Sequence, residues 1–462
     1  MTELEIVGVN SEGSGLARHG EGAFVVFVPG ALPGERVRCR IVRATKTYAV
    51  GKVLDILSAA SARVVPQCPV YGRCGGCQLQ HAAYPEQLEI KRTILGDAFR
   101  RIARMELAEK VACRPSPRVW AYRNKTALPI AQGAAAHGGK EATNPLVCGY
   151  YERGSHRVVP FRACPVLERP LEELVPALLR ELRSTGFSGY DEKKHTGDLR
   201  HLIVRAGDAS SGGTLTGVVG ARELSSREYG RLRDAHQRFA AAHPGVRGSV
   251  FNLKTDRGNF IWGPVFRTLS GARTILQRLG TFDFEIDVSA FFQVNREQTE
   301  ALFAHVGALL ADGAARSLLE LYSGVGGLTA FLASCAEHVD AVEEWRPAAR
   351  LLEANMERNG IENVRVHVEA AEEFASDPLR AAAGAYDTVV LDPPRTGCDP
   401  RVLVGIGRIA PRRIVYVSCN PATLARDVAR LAEGGYALGN LDAFDMFPQT
   451  AHVESVALLR RD

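Results

Sequence analysis

Two stretches in the last quarter of the chain most constrain its fold: Leu391-Asp392-Pro393-Pro394-Arg395 and Val417-Ser418-Cys419-Asn420-Pro421. Each follows an apolar, β-branched run, residues 386–390 in one case and 413–416 in the other. A short apolar run that ends abruptly in Pro and small polar residues reads as a buried strand delivering a loop. From about residue 285 onward such runs alternate with helical patterns. Residues 317–322 lead into the turn Ser323-Gly324-Val325-Gly326-Gly327-Leu328-Thr329, and residues 338–342 end at Glu343. A helix over 346–359 leads to a strand at 364–368, and a hairpin closes the chain near 444 to 458. Alternating strand and helix predicts a doubly wound parallel sheet, whose chemistry sits at the C-terminal strand ends. Asp392 and Cys419 are therefore presented side by side. A lone Cys is usually packing, but Cys419 lies beyond its strand, among Ser, Asn and Pro.

The rest of the composition sets limits. With 462 residues, 46% hydrophobic, and a mean hydropathy of -0.08, the chain can bury a sizeable core. No run approaches the roughly 18 apolar residues of a membrane span. The opening Met1-Thr2-Glu3-Leu4-Glu5 has no basic stretch followed by an apolar one, so a cytoplasmic protein without a membrane association is expected. A net charge of +5 permits a nucleic-acid partner without requiring one. Ten Cys in a long chain expected to be cytosolic favour metal binding or catalysis over disulfides.

Residues 1–58 read as all-β, with alternation over 35–42 that turns Arg36, Arg38, Arg40 and Arg43 outward, near Lys46, Tyr48 and Lys52. A small barrel with a basic face and an aromatic is a workable nucleic-acid platform, and a solvated charged face is the plain alternative. The stretches Gly13-Ser14-Gly15-Leu16-Ala17 and Val28-Pro29-Gly30-Ala31-Leu32-Pro33-Gly34-Glu35 resemble a TRAM domain, an RNA-binding barrel. Next, Cys68, Cys74 and Cys77 form a C-x5-C-x2-C run, tight enough for one soft metal centre. A fourth ligand is needed. Cys164, followed by Pro165, is preferred, and Cys113 and Cys148 are the alternatives. An iron–sulfur cluster is favoured over a four-thiolate zinc site, since zinc ribbons pair two short knuckles.

A helix is expected over 84–103, with Lys91, Arg92, Arg100, Arg101 and Arg104 away from its apolar face. The middle of the chain reads as mixed α/β, with a helix near 171–182 and a mobile Gly- and Ala-rich loop at 131–142. In the last part, the Gly-rich turn and Glu343 suit either a dinucleotide or S-adenosylmethionine. The third glycine of the dinucleotide spacing is missing, which favours the sulfonium.

Cys419 then gains a purpose. C5 of uracil is a poor nucleophile, but a thiolate added at C6 puts electron density on C5, which can accept a methyl group. A base must then remove the C5 proton so that the thiolate leaves. Glu454, in Phe447-Pro448-Gln449-Thr450-Ala451-His452-Val453-Glu454, is the candidate base. With these residues assembled, the chain resembles the RNA 5-methyluridine methyltransferase family. It resembles in particular the subgroup that carries a TRAM domain and a four-iron, four-sulfur cluster and acts on 23S ribosomal RNA. Further matching stretches are residues 150–157, Phe291-Phe292-Gln293-Val294-Asn295, 323–329, 392–395, 418–421 and 445–454.

That resemblance implies Cys419 as nucleophile and Glu454 as base, with Gln293, Tyr322, Gly327, Glu343 and Asp392 lining the S-adenosylmethionine and uracil site. It implies Cys68, Cys74, Cys77 and Cys164 as cluster ligands. The contact to the adenine amino group cannot be assigned within Val368-Glu369-Ala370-Ala371-Glu372. The expected class is α/β: an OB-like barrel at 1–58, an iron–sulfur and mixed α/β domain at 59–284, and a Rossmann-like methyltransferase sheet at 285–462. The helix near 84–105 is expected against the methyltransferase domain, and the protein is expected to act as a monomer. Three rivals remain. 5-Methylcytidine enzymes resemble a pattern with a second Cys after Asp-Pro, where this chain has Pro394, and Cys398 reads as structural. Radical S-adenosylmethionine enzymes resemble C-x3-C-x2-C, absent here. A non-catalytic RNA-binding factor would not need both Cys419 and Glu454. Transfer RNA is the alternative substrate.

Overall fold

The hydrophobic runs at the end of the chain form the centre of an eight-stranded sheet. A computed structural model of the protein describes residues 1–20, 24–107, 111–133, 146–208, 212–258, 260–311 and 315–461. The sheet order is Val364–His367, Ala336–Val342, Ala315–Leu321, Thr388–Leu391, Arg413–Ser418, Glu454–Arg460, Ala437–Phe444, Ala112–Arg114. The first five strands are parallel, and Glu454–Arg460 runs antiparallel between Arg413–Ser418 and Ala437–Phe444. Thr388–Leu391 is buried at every position, as expected of a strand covered on both faces by helices. The three-residue strand Ala112–Arg114 is too short to leave a sequence signal, yet it supplies the eighth position.

The chain divides into two units. One comprises Met1–Gln67, Cys77–Val119 and Glu297–Asp462; the other comprises Cys68–Gly76 and Trp120–Arg296. In the first unit, five strands at Thr2–Val9, Ser14–His19, Phe24–Pro29, Arg36–Ala44 and Tyr48–Ser58 close into a barrel around Ile6, Ala17, Val26, Val28 and Val37. Gly15 is required there: a Cβ would lie 2.9 Å from both the Ala31 carbonyl oxygen and Ile6 Cγ2. Glu35, fully buried, fixes the turn before the fourth strand. Its carboxylate accepts from Leu32 N at 2.9 Å and from Arg63 Nε and Nη2 at 2.5 and 2.8 Å. Desolvation alone would raise its pKa, but the Arg63 and backbone hydrogen bonds outweigh it and hold the group lowered.

The helix Tyr84–Ala98, continued by a π-helical turn at Phe99–Ala103, corrects one sequence expectation. Lys91 is not on a solvated basic face. It is fully buried, ion-paired with the equally buried Asp445, and donates to the Phe447 carbonyl at 3.0 Å. A buried cation needs such a partner, and removing one member of a pair like this costs about 3–5 kcal/mol. Arg92, Arg100 and Arg101 pair with Glu89 and Asp97 on the same helix. Gln87 donates to Gln449 Oε1 at 3.0 Å and accepts from Gln449 N at 2.9 Å. The helix thus grips the 445–449 loop from which Glu454 emerges.

The second unit is a seven-stranded mixed sheet in the order Val265–Gly271, Val246–Leu253, Thr214–Gly220, Leu199–Ala206, Lys125–Gln132, Leu146–Tyr151, Val158–Pro160, with a hairpin of Thr274–Leu279 and Phe282–Asp287. The helix Arg169–Arg183 matches the expected apolar face. A second helix, Ser226–Ala242, was not anticipated although Ser225 and Glu228 form a complete capping box. The expected mobile loop at 131–142 lies outside the described residues from 134 onward.

Candidate active site

The parallel order changes direction between Ala315–Leu321 and Thr388–Leu391, and ligands bind in the crevice outside the carboxyl ends of strands at such a switch point. Tyr322, Glu343, Asp392 and Cys419 each come directly after one of the four adjacent strands. The antiparallel partner does the opposite. It begins at this edge, so Glu454 is its first residue. The ladder ends with Ser418 paired to Ser455, so Cys419 and Glu454 are the residues next beyond it, and the charge of Glu454 acts on the Cys419 thiol. Glu454, Asp392 and Arg395 act electrostatically on Cys419, and Tyr322 and Glu343 lie at the same edge of the sheet.

The loops after the two central strands are stitched to each other. Asn420 Nδ2 donates to the Arg395 carbonyl at 2.8 Å, while Asn420 Oδ1 caps the helix Pro421–Glu433 by accepting from Ala422 N at 3.1 Å. Buried Asp427 accepts from Cys398 N at 3.0 Å and from Tyr416 OH at 2.8 Å. Gly397, at φ 77°, leaves no room for a side chain: its Cβ would lie 2.6 Å from Asp427 Oδ2. Cys398 is buried and its thiol is pushed up to about 12 by desolvation, consistent with a packing role. On the other side, Glu343 accepts from Gly324 N at 2.9 Å and from Trp345 N at 2.8 Å, locking the Gly-rich turn to the next strand. Tyr322 opens that turn at φ 68°, a left-handed conformation costly for a non-glycine. Gly327 starts a helix of only six residues, Gly327–Leu332.

Between these loops lies a cavity of about 470 Å³. Tyr322, Glu343, Glu372, Cys398 and Arg426 line it. Glu372, in the first turn of Ala371–Ser376, belongs to the stretch where the sequence left the adenine contact open. Gln293 belongs to the second unit, where it is buried.

The electrostatics are those of a crowded acidic site. Burial pushes Asp392 up to about 7. Burial, then the charge of Asp392, raises Glu454 far above the carboxylate range, with Arg395 pulling the other way. Cys419 is raised to about 11, first by burial, then by Glu454; Arg395 lowers it by charge and by hydrogen bonding. One residue the sequence reading missed belongs here. Glu320, 2% exposed inside its strand, is raised to about 8 by burial and has a buried carboxylate oxygen with no hydrogen-bond partner among the described residues. An acid within the apolar run Leu318-Leu319-Glu320-Leu321 was the available signal.

The Cys-rich segment is held by backbone hydrogen bonds. Gly75 N donates to the Tyr151 carbonyl at 2.8 Å, and Cys74 Sγ accepts from Gly76 N at 3.4 Å. Burial raises the Cys74 thiol, with a smaller contribution from Cys68. Cys164 is buried, and its backbone N donates to Glu172 at 3.1 Å. Among the described residues, no three His, Cys, Asp or Glu side chains are grouped closely enough to hold a metal ion.

Residues 278–462 match the tRNA (Uracil-5-)-methyltransferase family and residues 2–54 the TRAM domain. The chain is 40% identical over 459 residues to an uncharacterized RNA methyltransferase of Gloeobacter violaceus, covering 99% of this chain and 96% of that one. It is 35% identical over 463 residues to another from Halalkalibacterium halodurans, with 99% and 96% covered. It is also similar to the crystal structure of Pyrococcus abyssi tRNA (uracil-54, C5)-methyltransferase in complex with S-adenosyl-L-homocysteine. That similarity has a TM-score of 0.75 and 27% identity over 99% of this chain and 100% of that one. No helix among the described residues is long and apolar enough to cross a membrane.

A thiol raised to about 11 is almost wholly protonated at neutral pH, with about one in ten thousand ionised. Ionisation rises with pH, so alkylation of Cys419 in the ligand-free protein should quicken about tenfold per pH unit from 7 to 10. Iodoacetamide labelling with peptide mass mapping measures this. A rate already at its plateau by about pH 8 would contradict the electrostatic description.

Proposed function

Because the chain belongs to the S-adenosylmethionine-dependent RNA (uracil-5-)-methyltransferase family, we propose that Cys419 is its nucleophile and Glu454 the base that takes the C5 proton of a uridine. The observation that carries this reading is that Cys419 and Glu454 both follow directly on the Ser418–Ser455 pair at the carboxyl edge of the sheet, where the charge of Glu454 acts on the thiol. S-adenosylmethionine, when bound, supplies an electrophilic methyl group on a positively charged sulfonium. A cavity of about 470 Å³ is in the range that holds such a ligand, and Tyr322, Glu343 and Glu372 would contact it. Asp392, Gln293 and Gly327 are assigned to the cofactor and uracil contacts on sequence resemblance.

In the proposed reaction, Cys419 loses its proton to a neighbouring carboxylate and Sγ bonds to C6 of the uracil. The C5–C6 electron pair moves onto C5 and O4. After C5 accepts the methyl group, Glu454 removes the C5 proton. The freed pair restores the C5–C6 double bond as the Sγ–C6 bond breaks. Arg395 favours the thiolate by charge and hydrogen bonding. Burial, with the charge of Asp392 added, keeps the proton affinity of Glu454 high, which makes its ionised form a strong base. The target base must leave any stack to reach Cys419.

We assign the target to 23S ribosomal RNA from the combination of barrel and C-x5-C-x2-C run. Transfer RNA is the second reading, favoured by the full-length similarity to a tRNA (uracil-54, C5)-methyltransferase. Nucleoside mass spectrometry on separately digested RNAs from a strain lacking this gene tests both. Loss of 5-methyluridine from ribosomal RNA, restored by the natural gene and not by Cys419→Ala, is the expected result. Loss confined to transfer RNA keeps the chemistry and moves the substrate, and full restoration by Cys419→Ala would sink the mechanism.

A four-iron, four-sulfur cluster on Cys68, Cys74, Cys77 and Cys164 rests on sequence spacing and resemblance, and no step above runs through it. Protein purified without oxygen is expected to carry equal iron and acid-labile sulfide, both lost in Cys74→Ser. Bound zinc, or neither element, would remove the cluster from the account.

A further inference from the structure

The arginines of Arg36–Ala44 fall into two groups once their neighbours are considered. Arg38 lies opposite Glu3 in one ladder and opposite Asp55 in the other. Arg36 and Arg38 reach Glu3 at 3.1 and 3.4 Å, and Arg38 reaches Asp55 at 3.0 Å. This half of the face is neutralised. Two residues on, Arg40 stands directly opposite Lys52. Like charges placed opposite each other destabilise a sheet, and among the described residues neither has an acidic partner. The register then steps from Ile41–Gly51 to Arg43–Val50, so Val42 is an extra, bulged residue. Plain alternation would put Val42 beside Arg40, and the bulge puts Arg43 there instead. Lys46, at the hairpin tip, is exposed, as are Arg40, Arg43 and Lys52.

Aromatic surface adjoins these cations. The strand Phe24–Pro29 runs parallel to Tyr48–Ser58, with Val25 opposite Tyr48 and Phe27 opposite Val50. Val26, Val28, Ala49 and Gly51 are the buried positions, so Phe27 and Tyr48 face outward, half-buried. Their ring centroids are 5.6 Å apart at 57°.

We infer that Arg40, Arg43, Lys46 and Lys52, together with Phe27 and Tyr48, form a platform for an unpaired stretch of RNA, and that the Arg36 and Arg38 half does not touch it. A phosphate between Arg40 and Lys52 converts their repulsion into two attractions, and an outward ring beside a phosphate track offers a face to an unstacked base. The inference rests on the reading that the substrate is RNA.

The test is fluorescence anisotropy of the full chain with a labelled single-stranded RNA of about 12 nucleotides, a length within one barrel's reach. Arg40→Gln with Lys52→Gln should weaken binding about tenfold near 0.1 M salt. It should also lower the slope of log affinity against log salt by about 1.4, at roughly 0.7 per phosphate contact on a single strand. Arg36→Gln with Arg38→Gln removes the same charge from the same barrel and should change affinity less than about twofold. Tyr48→Ala should cost about 5- to 100-fold. Arg40→Lys with Lys52→Arg, which keeps both charges, should bind as the natural protein does. Equal losses from the two Gln pairs, no loss from the first, failure of the charge-keeping pair, or equal competition by a duplex of the same length would overturn the platform. The readout is binding without turnover. Failure of methyl transfer with the partition intact would count against the proposed reaction only, and the reverse result against the platform only.

Discussion

One ladder determines what this molecule can do: the antiparallel pairing of Glu454–Arg460 against the parallel strand Arg413–Ser418. A parallel neighbour would have delivered only its last residue to the carboxyl edge. An antiparallel neighbour delivers its first. Cys419 and Glu454, 35 residues apart in sequence, thus come to the same edge by strand polarity. The loop that leads into Glu454 is held at Gln449 and Asp445 by Gln87 and Lys91 of the helix Tyr84–Ala98. A segment more than 350 residues upstream therefore sets the height at which the proposed base emerges.

The site gathers carboxyl groups where no cation balances them fully. Glu320, Asp392 and Glu454 are all raised by burial, and Arg395 is the guanidinium that acts on Cys419 and Glu454. In isolation this arrangement is electrostatically poor, because each ionised carboxylate opposes the next and all oppose a thiolate. It suits a ligand that brings positive charge with it. In the proposed reaction the resting thiol is inert until the site fills, which limits stray chemistry at Cys419.

Strand ends carry strong sequence signals, and these gave the methyltransferase sheet and the candidate residues Tyr322, Glu343, Asp392 and Cys419. Apolar β-branched runs stop sharply at Pro and Gly, so the edge could be seen without coordinates. What could not be seen was set by distant partners. Lys91 resembles any surface lysine until Asp445 arrives from the far end of the chain. Glu372 becomes a cavity residue only because its helix starts at Ala370–Ala371, beside Glu343. Glu320 looks like an interruption in a strand, and its raised pKa comes first from burial, with Asp392 just beyond the adjacent strand adding to it. Gln293 carried a motif, but the fold places it in the second unit. The barrel's arginines were legible as a basic face, whereas their division into paired and unpaired halves required the register.

The central claim is a covalent bond between Cys419 and C6 of a uridine. RNA in which the target uridine carries fluorine at C5 tests it most directly, because no C5 proton is then available for Glu454 to remove. Incubated with S-adenosylmethionine, the protein should stall as a denaturation-resistant complex, and mass spectrometry should place the methylated nucleotide on the Cys419 peptide. Absence of any adduct on Cys419, with ordinary uridine in the same RNA still methylated, would contradict the account.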